Sequence, residues 1–340
     1  MRLVDIESVE PGQVLGRTIF SANGTVLLTT GVQLTVFMIS TLKRVGVTMI
    51  YIDDPMFRDI SIEEVLSEST KGAVIQQMSE SFDALRSGKS FNTKAISMTV
   101  DALLEDVLKN QNVLVQLSDI RTEDNAIYIH SMNVCMMATL VGVNMGLNMI
   151  QLKELAMGAL LHDIGKVGAP ELQEGRSHHS WRGFEMLKMK REYSLLISHV
   201  AFQHHEAVDG SGKPRGIRGD EIHLYAKITA IANIYDNMLT DLSEGKRILP
   251  HEAVERLNAM SGTVVDRDVL IEFLRIVSVY PNGISVRLSN RQTGVVVGQH
   301  KGLPGRPIVR VIDKAGDEAV GASEVDLAQR TTIFIESVLS

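Results

Sequence analysis

A single cysteine, Cys135, in 340 residues excludes an internal disulfide and any cage of thiolate metal ligands. It lies in the apolar stretch after His130 and reads as a buried, inert thiol. Aromatic residues make up only 5% of the chain, against 16 methionines, which points to adaptable aliphatic packing between helices. Positive charge is not in excess: a net charge of -7 lacks the electrostatic footprint of duplex nucleic acid binding. The most hydrophobic stretch, residues 134–150, is broken by Gly142, Asn144, Gly146 and Asn148 and falls short of the ~20 residues of a membrane span. The first ten residues hold Asp5, Glu7 and Glu10 and no basic start leads into an apolar core. A cytoplasmic protein without membrane contact is expected.

The length asks for two or three units, with enough chain for a large buried core. Residues 1–55 read as a small mixed α/β unit. Residues 14–20 and 26–28 flank Ala22-Asn23-Gly24 as the strands of a hairpin, residues 34–45 have helical spacing, and residues 48–52 read as a strand. Residues 56–118 read as connecting helices, over 62–87 and 94–117, separated by Gly88-Lys89-Ser90. Their apolar stripes could also pack against a second copy, giving a homodimer. Residues 119–280 read as a helical catalytic bundle, with helices near 124–144, 150–166, 179–191, 195–206, 221–242 and 251–260. From residue 281 onward the period changes: strands at 284–288, 294–297, 308–312 and 332–335 make a small β-rich appendage. The fold class is mainly α.

Chemistry concentrates in the middle of the chain. Leu161-His162-Asp163-Ile164-Gly165-Lys166 sets a His-Asp pair at the end of an apolar helix with a lysine three residues on, a pattern that packing rarely demands. His130 precedes it; His179, His204, His205 and Asp236 follow. Seven imidazoles and carboxylates of this mixed kind suit iron, manganese or zinc. Successive helical residues point about 100° apart, so neither His204 with His205 nor His162 with Asp163 chelates one ion easily within a helix, and two adjacent pairs suggest two ions. With Asp163 as a bridging carboxylate the arrangement becomes a dinuclear centre about 3.5 to 4 Å across, suited to in-line hydrolysis of a phosphate ester. Lys166, four residues after His162, falls on the same helical face and can hold a phosphate oxygen.

The order His130, His162-Asp163-Ile164-Gly165-Lys166, His179, His204-His205-Glu206, Asp209-Gly210-Ser211-Gly212-Lys213-Pro214 and Asp236 resembles the HD-GYP family of HD phosphohydrolases, over roughly residues 120 to 260. The resemblance implies hydrolysis of the bacterial messenger cyclic di-GMP to pGpG or GMP. It makes His130, His162, Asp163, His179, His204, His205 and Asp236 metal ligands and Lys166 the lysine on the scissile phosphate. Family spacing to Gly183 and Glu185 selects His179 over its neighbour His178. Lys213, Arg215 and Lys246 are further candidates for substrate contact, Arg182 a weaker one. His199 and His223 read as packing or surface residues, His251 and His300 as solvated ones. Glu206 reads either as an acceptor behind an imidazole or as an ordinary helix-end charge, and Asp209 as a turn former.

Three departures from the family stand out. Gly212-Lys213-Pro214 replaces Gly-Tyr-Pro, exchanging an aromatic for an ammonium. Ala126 stands where some members carry a glutamate for a third metal, so two ions are expected. Gly245 occupies the place of a ligand-binding arginine, with Lys246 and Arg247 beside it. A second reading, from a different class, is a catalytically weak or silent receptor for the same cyclic dinucleotide.

Overall fold

The structure is a computed structural model that describes residues 1–53, 63–117, 119–167, 178–240, 248–315 and 318–339. The chain opens with β1 (Arg2–Asp5), β2 (Ile19–Phe20), β3 (Val26–Leu28), α1 (Val36–Arg44) and β4 (Met49–Ile52). β2 and β3 form the expected hairpin, and β1 pairs antiparallel with β4. β1 sets Leu3 and Val4 side by side between Arg2 and Asp5, without apolar and polar alternation, and was not legible in the sequence. Thr35 caps α1 by accepting from the Met38 amide, the ordinary way to satisfy an orphan donor.

Two longer helices follow, α2 (Glu68–Arg86) and α3 (Thr93–Lys109). Both are shorter than their apolar periodicity suggested. Ser67 and Asn92 cap them, and α3 stops at Lys109, well before residue 117. Their apolar stripes, Val74, Ile75, Met78 and Phe82 on α2 and Ile96, Val100, Leu103, Leu104 and Val107 on α3, are buried in the largest core of the chain itself. One copy therefore accounts for both stripes.

The helical unit continues with α4 (Ala126–Asn144), α5 (Met149–Leu160), α6 (His179–Lys188), α7 (Leu195–Gln203), α8 (Leu224–Thr240), α9 (Pro250–Ala259) and α10 (Arg267–Leu274). α4 is apolar all round, as a helix enclosed by others must be. By length and composition alone it could cross a membrane, over a window earlier in the chain than residues 134–150. Within this fold 83% of that window is buried, with α5 and α8 as its main neighbours. α10 is a helix that the periodicity did not announce, although Asp266 caps it through the amides of Asp268 and Val269. Two expected helices end early: the one expected over 150–166 ends at Leu160, and the one over 195–206 at Gln203.

The C-terminal part is a five-stranded antiparallel sheet in the order β8-β7-β6-β5-β9, comprising β5 (Ser285–Leu288), β6 (Thr293–Gly298), β7 (Ile308–Ala315), β8 (Glu318–Asp326) and β9 (Ile335–Leu339). β8 escaped the sequence reading because Ala319, Gly321, Ala322 and Ser323 are poor strand formers. Val286, Leu288, Val296, Val309, Val311 and Leu327 form its own small core.

A buried ion network joins the N-terminal unit to the helices. Lys71 on α2 reaches Glu64 at 2.9 Å and Asp119 at 2.6 Å, while Arg17 reaches the other oxygen of Glu64 at 2.7 Å. Burial alone would lower the Lys71 value, but Asp119 and Glu64 hold it above the usual lysine range. Burial likewise opposes ionisation of Asp119, and Lys71, Arg17 and Arg121 outweigh it and depress its carboxyl. Asp119 thus contributes stability that is complete above pH 3.8 and is lost as pH falls through its lower folded value. Lys71 contributes below pH 10.5 and loses that contribution as pH rises through its higher one. Replacing Lys71 by Met leaves two carboxylates short of a cation and should cost about 3 kcal/mol. Urea unfolding at neutral pH measures that cost, and a change below about 1 kcal/mol would show that solvent already screens the network.

Candidate metal centre

The centre is assembled from the ends of helices rather than from their middles. His130 lies in the first turns of α4, and Asp236 faces it from the C-terminal half of α8. α5 ends at Leu160, so His162 and Asp163 leave the helical path, and a 3₁₀ turn over Ile164–Lys166 carries the chain on. His179 opens α6. His204 is the residue that closes α7, and His205 lies beyond it.

Gly165 is required by a close approach. A methyl group there would lie 2.0 Å from the His179 carbonyl oxygen and 2.6 Å from the Gly183 amide nitrogen, so only glycine lets α6 bring His179 against Asp163.

Asp163 is the hub. It is 1% exposed, and its two oxygens face different histidines. Oδ2 lies 3.4 Å from His162 Nε2 and 3.6 Å from His130 Nε2. Oδ1 lies 3.3 Å from His179 Nε2 and 3.6 Å from His204 Nε2, and it has no hydrogen-bond partner among the described residues. Two groups with metal-ligand geometry result: His130, His162 and Asp163, and Asp163, His179, His204 and His205. Asp163 belongs to both.

This division corrects the argument that adjacent residues must serve different ions. His204 and His205 fall in one group, and His162 and Asp163 share the other. The 100° separation holds inside a helix, whereas both pairs sit where a helix stops. His204 Nε2 and His205 Nε2 lie 3.4 Å and 3.0 Å from His179 Nε2.

The ring tautomers test whether the residues suit metal ions. His162 Nδ1 donates to the Ala159 carbonyl at 2.8 Å and His204 Nδ1 to the Ala201 carbonyl at 2.9 Å. A carbonyl only accepts, so each neutral ring carries its proton on Nδ1 and turns an Nε2 lone pair inward. His130 Nδ1 donates to Asp236 Oδ2 at 2.5 Å, and its Nε2 faces His162 Nε2 at 3.2 Å. Two lone pairs at that distance, with no proton between them, repel unless a cation separates them. Backbone and carboxylate acceptors behind ligating imidazoles are the usual device for fixing such tautomers. The set therefore fits divalent metal ions.

Burial also keeps the rings in the ligating form. It pushes the His204 imidazole down to about 3, even with Asp163 beside it. His205 is held well below the usual histidine value by burial and by His204 and His179. Burial lowers His162 as well. Asp163 stays ionised because the surrounding histidines outweigh its burial. Neutral imidazole and ionised carboxylate are the states that bind metal.

Asp236, expected among the metal ligands, falls outside both groups and stands behind the inward-facing nitrogens. Oδ2 takes the His130 proton, and Oδ1 accepts from Arg121 at 2.5 Å and from Asn133 at 3.2 Å. Arg121 and Asn133 were missed in the sequence. Asn133 had a signal, one helical turn after His130 on the same face of α4; Arg121, in the non-helical stretch between α3 and α4, had none. Lys166 donates to Asp163 Oδ2 at 2.5 Å from the 3₁₀ turn and not from a shared helical face with His162. His178 caps α6 through the Ser180 amide and stacks on His179.

Lys213 and Arg215 lie on the loop after His205, both exposed. The Arg215 guanidinium covers the Phe202 ring at 4.8 Å, and Arg182 donates to the Val167 carbonyl. Glu206 turns out to be the organiser of this loop, accepting from the amides of Arg215, Gly216 and Ile217 at 2.9 to 3.2 Å. Gly212 passes so close that a methyl group would lie 2.1 Å from the Ala207 amide nitrogen. Lys246, with Gly245 and Arg247, lies outside the described residues.

The HD domain family matches residues 102–269, and a KOW domain associated with HD domains matches residues 285–340. The chain is an HD-domain protein of the HD-GYP type. Among its relatives, a cyclic di-GMP phosphodiesterase of Pseudomonas aeruginosa is 31% identical over 248 residues, covering 69% of this chain and 59% of the relative. A cyclic di-GMP phosphodiesterase of Thermotoga maritima is 28% identical over 186 residues, 51% of this chain and 49% of its own. A 3'3'-cGAMP-specific phosphodiesterase of Vibrio cholerae is 28% identical over 186 residues, 48% and 42% respectively. This HD-GYP chain thus spans 59% and 49% of the first two relatives' lengths. An HDGYP protein from Bdellovibrio bacteriovorus superposes with a TM-score of 0.48 at 16% identity, over 80% of this chain and 97% of that one.

Replacing Gly165 by Ala should displace α6 and His179 and weaken the Asp163, His179, His204 and His205 group more than the His130 and His162 group. Manganese titration of the purified variant checks this. Equal weakening of both groups would trace the effect to general unfolding.

Proposed function

We propose that this HD-GYP protein is a metal-dependent phosphodiesterase that hydrolyses cyclic di-GMP to pGpG or GMP. The observation that carries the reading is the shared carboxylate of Asp163, each oxygen turned toward its own set of inward-facing imidazole nitrogens. Two divalent ions, iron or manganese with zinc as a third choice, would supply Lewis acidity toward a phosphodiester and toward water. Asp163 would serve both ions. His130 and His162 would hold one, and His179, His204 and His205 the other, with Asp236 fixing the His130 ring from behind.

Lys166 supports catalysis by its position. It is the cation nearest the hub, and its half-exposed ammonium can exchange Asp163 for a phosphate oxygen once metal charge lies on the carboxylate. Lys213 and Arg215 face solvent on the loop beside His205 and would meet the remaining phosphate and guanine groups of a cyclic dinucleotide. Relatives named for cyclic di-GMP and for 3'3'-cGAMP support a cyclic dinucleotide as the class, and the match to the Pseudomonas aeruginosa cyclic di-GMP phosphodiesterase covers 69% of this chain. The receptor reading rests on two departures from the family, the ammonium of Lys213 in place of an aromatic ring and Gly245 in place of a ligand-binding arginine.

Two substitutions separate these readings. Asp163→Ala should remove both ions and all turnover, as elemental analysis and a cyclic di-GMP hydrolysis assay would record; retention of one ion would refute a shared carboxylate. Lys166→Ala should keep the metal content and slow hydrolysis by about 3 kcal/mol, on the order of a hundredfold. Wild-type protein that binds cyclic di-GMP with both ions present and leaves it intact would favour the receptor.

A further inference from the structure

Residues 119–125 run between the N-terminal unit and α4, and nearly every one of them is tied down. Asp119 pairs with Lys71. Ile120 is buried in the core of the N-terminal unit, in the cluster that holds Leu15, Ile19, Leu34, Ile39, Leu42 and Ile50. The Glu123 amide donates to the Val45 carbonyl at 3.2 Å, and Asn125 Nδ2 donates to the Phe20 carbonyl at 2.8 Å. Asn125 Oδ1 in turn accepts from the Thr122 amide. The one side chain in this strap that reaches the metal centre is Arg121, whose guanidinium meets the fully buried Asp236 at 2.5 Å.

Asp236 has a single task for each oxygen. Oδ2 takes the His130 proton, and Oδ1 takes Arg121 and Asn133. A carboxylate buried this deeply must be neutralised or hydrogen-bonded on both oxygens. Without Arg121 only the long Asn133 contact would hold Oδ1, and the carboxylate would be free to rotate away from His130. The pull on His130 is set by where Arg121 sits, and Arg121 sits where Ile120 and its neighbours fix the backbone.

We propose that Arg121 is a positioning residue for the His130 and His162 half of the metal centre, and that the N-terminal unit sets its position through the buried side chain of Ile120. The role of the small unit is then to tune one metal site of the pair. Among the described residues no contact joins this strap to His179, His204 or His205, the imidazoles of the other group, which shares only Asp163 with the first. This inference rests on the dinuclear reading given above, and the experiment separates the failure of one from the failure of the other.

The full chain, stripped of metal by chelation, is titrated with Mn2+ by calorimetry, with circular dichroism as a control for folding. Wild-type protein is expected to take up two ions. Arg121→Gln should lower one of the two affinities 10- to 100-fold, the range seen when a ligand's hydrogen-bonded partner is removed, and leave the second within twofold. Arg121→Lys should recover part of the loss, because the ammonium restores a cation at Asp236. Ile120→Ala, which touches no group of the centre, should weaken the same ion in the same direction. Unchanged affinities in Arg121→Gln, equal loss at both sites, or an Ile120→Ala variant identical to wild type would overturn the proposal. If Arg121→Gln fails to fold, Arg121→Lys decides, supporting the proposal by a loss confined to one ion and refuting it by none. Wild-type protein that takes up fewer than two ions would overturn the dinuclear reading, and the inference with it.

Discussion

A carboxylate that is almost wholly buried and ringed by four imidazole nitrogens is an expensive arrangement, and the rest of the helical unit is organised around it. Asp163 is only 1% exposed, and α4, α5, α7 and α8 contribute to the largest apolar core of the chain. In such surroundings a charge is kept only by close partners. The partners supplied here turn lone pairs toward one another, since His162 and His204 spend their protons on backbone carbonyls and His130 spends its own on Asp236. The arrangement makes electrostatic sense as a container for positive charge.

The helices make this container by stopping. α5 and α7 each end just before their His-Asp or His-His pair, and α6 begins at His179. Chain termini of helices release side chains from the 3.6-residue period, so residues that are neighbours in sequence can converge on one point. The apolar middle of α4, by contrast, does nothing chemical; it fixes the directions from which the ends arrive.

Much of this was legible in the sequence, and the limits were physical. The residue types and order from His130 to Asp236 marked the side chains that gather around Asp163, and the switch of period after residue 281 marked the C-terminal sheet. What period could not reveal was where helices stop: the reading carried α5 to Lys166 and α7 to Glu206, and so assigned the adjacent pairs to different ions. β1 was lost because its two apolar residues are adjacent rather than alternating, and α10 because eight residues offer little helical repetition. Arg121 was lost for another reason. Its importance comes from a contact with Asp236, 115 positions away in the chain, and no local pattern reports such a meeting. Glu206 was visible but ambiguous, and the three amides it collects give it a role that neither reading named, holding the loop that follows.

The way Glu206 and Gly212 hold the following loop has a consequence for how this scaffold can diversify. The loop's path is dictated by main-chain amides gripping one carboxylate and by a glycine wedged against the backbone at Ala207. The side chain of residue 213 is exposed and takes no part in those contacts. Shape and chemical identity are thus encoded by different residues at this rim, so a tyrosine can be traded for a lysine there without remodelling the frame that presents it.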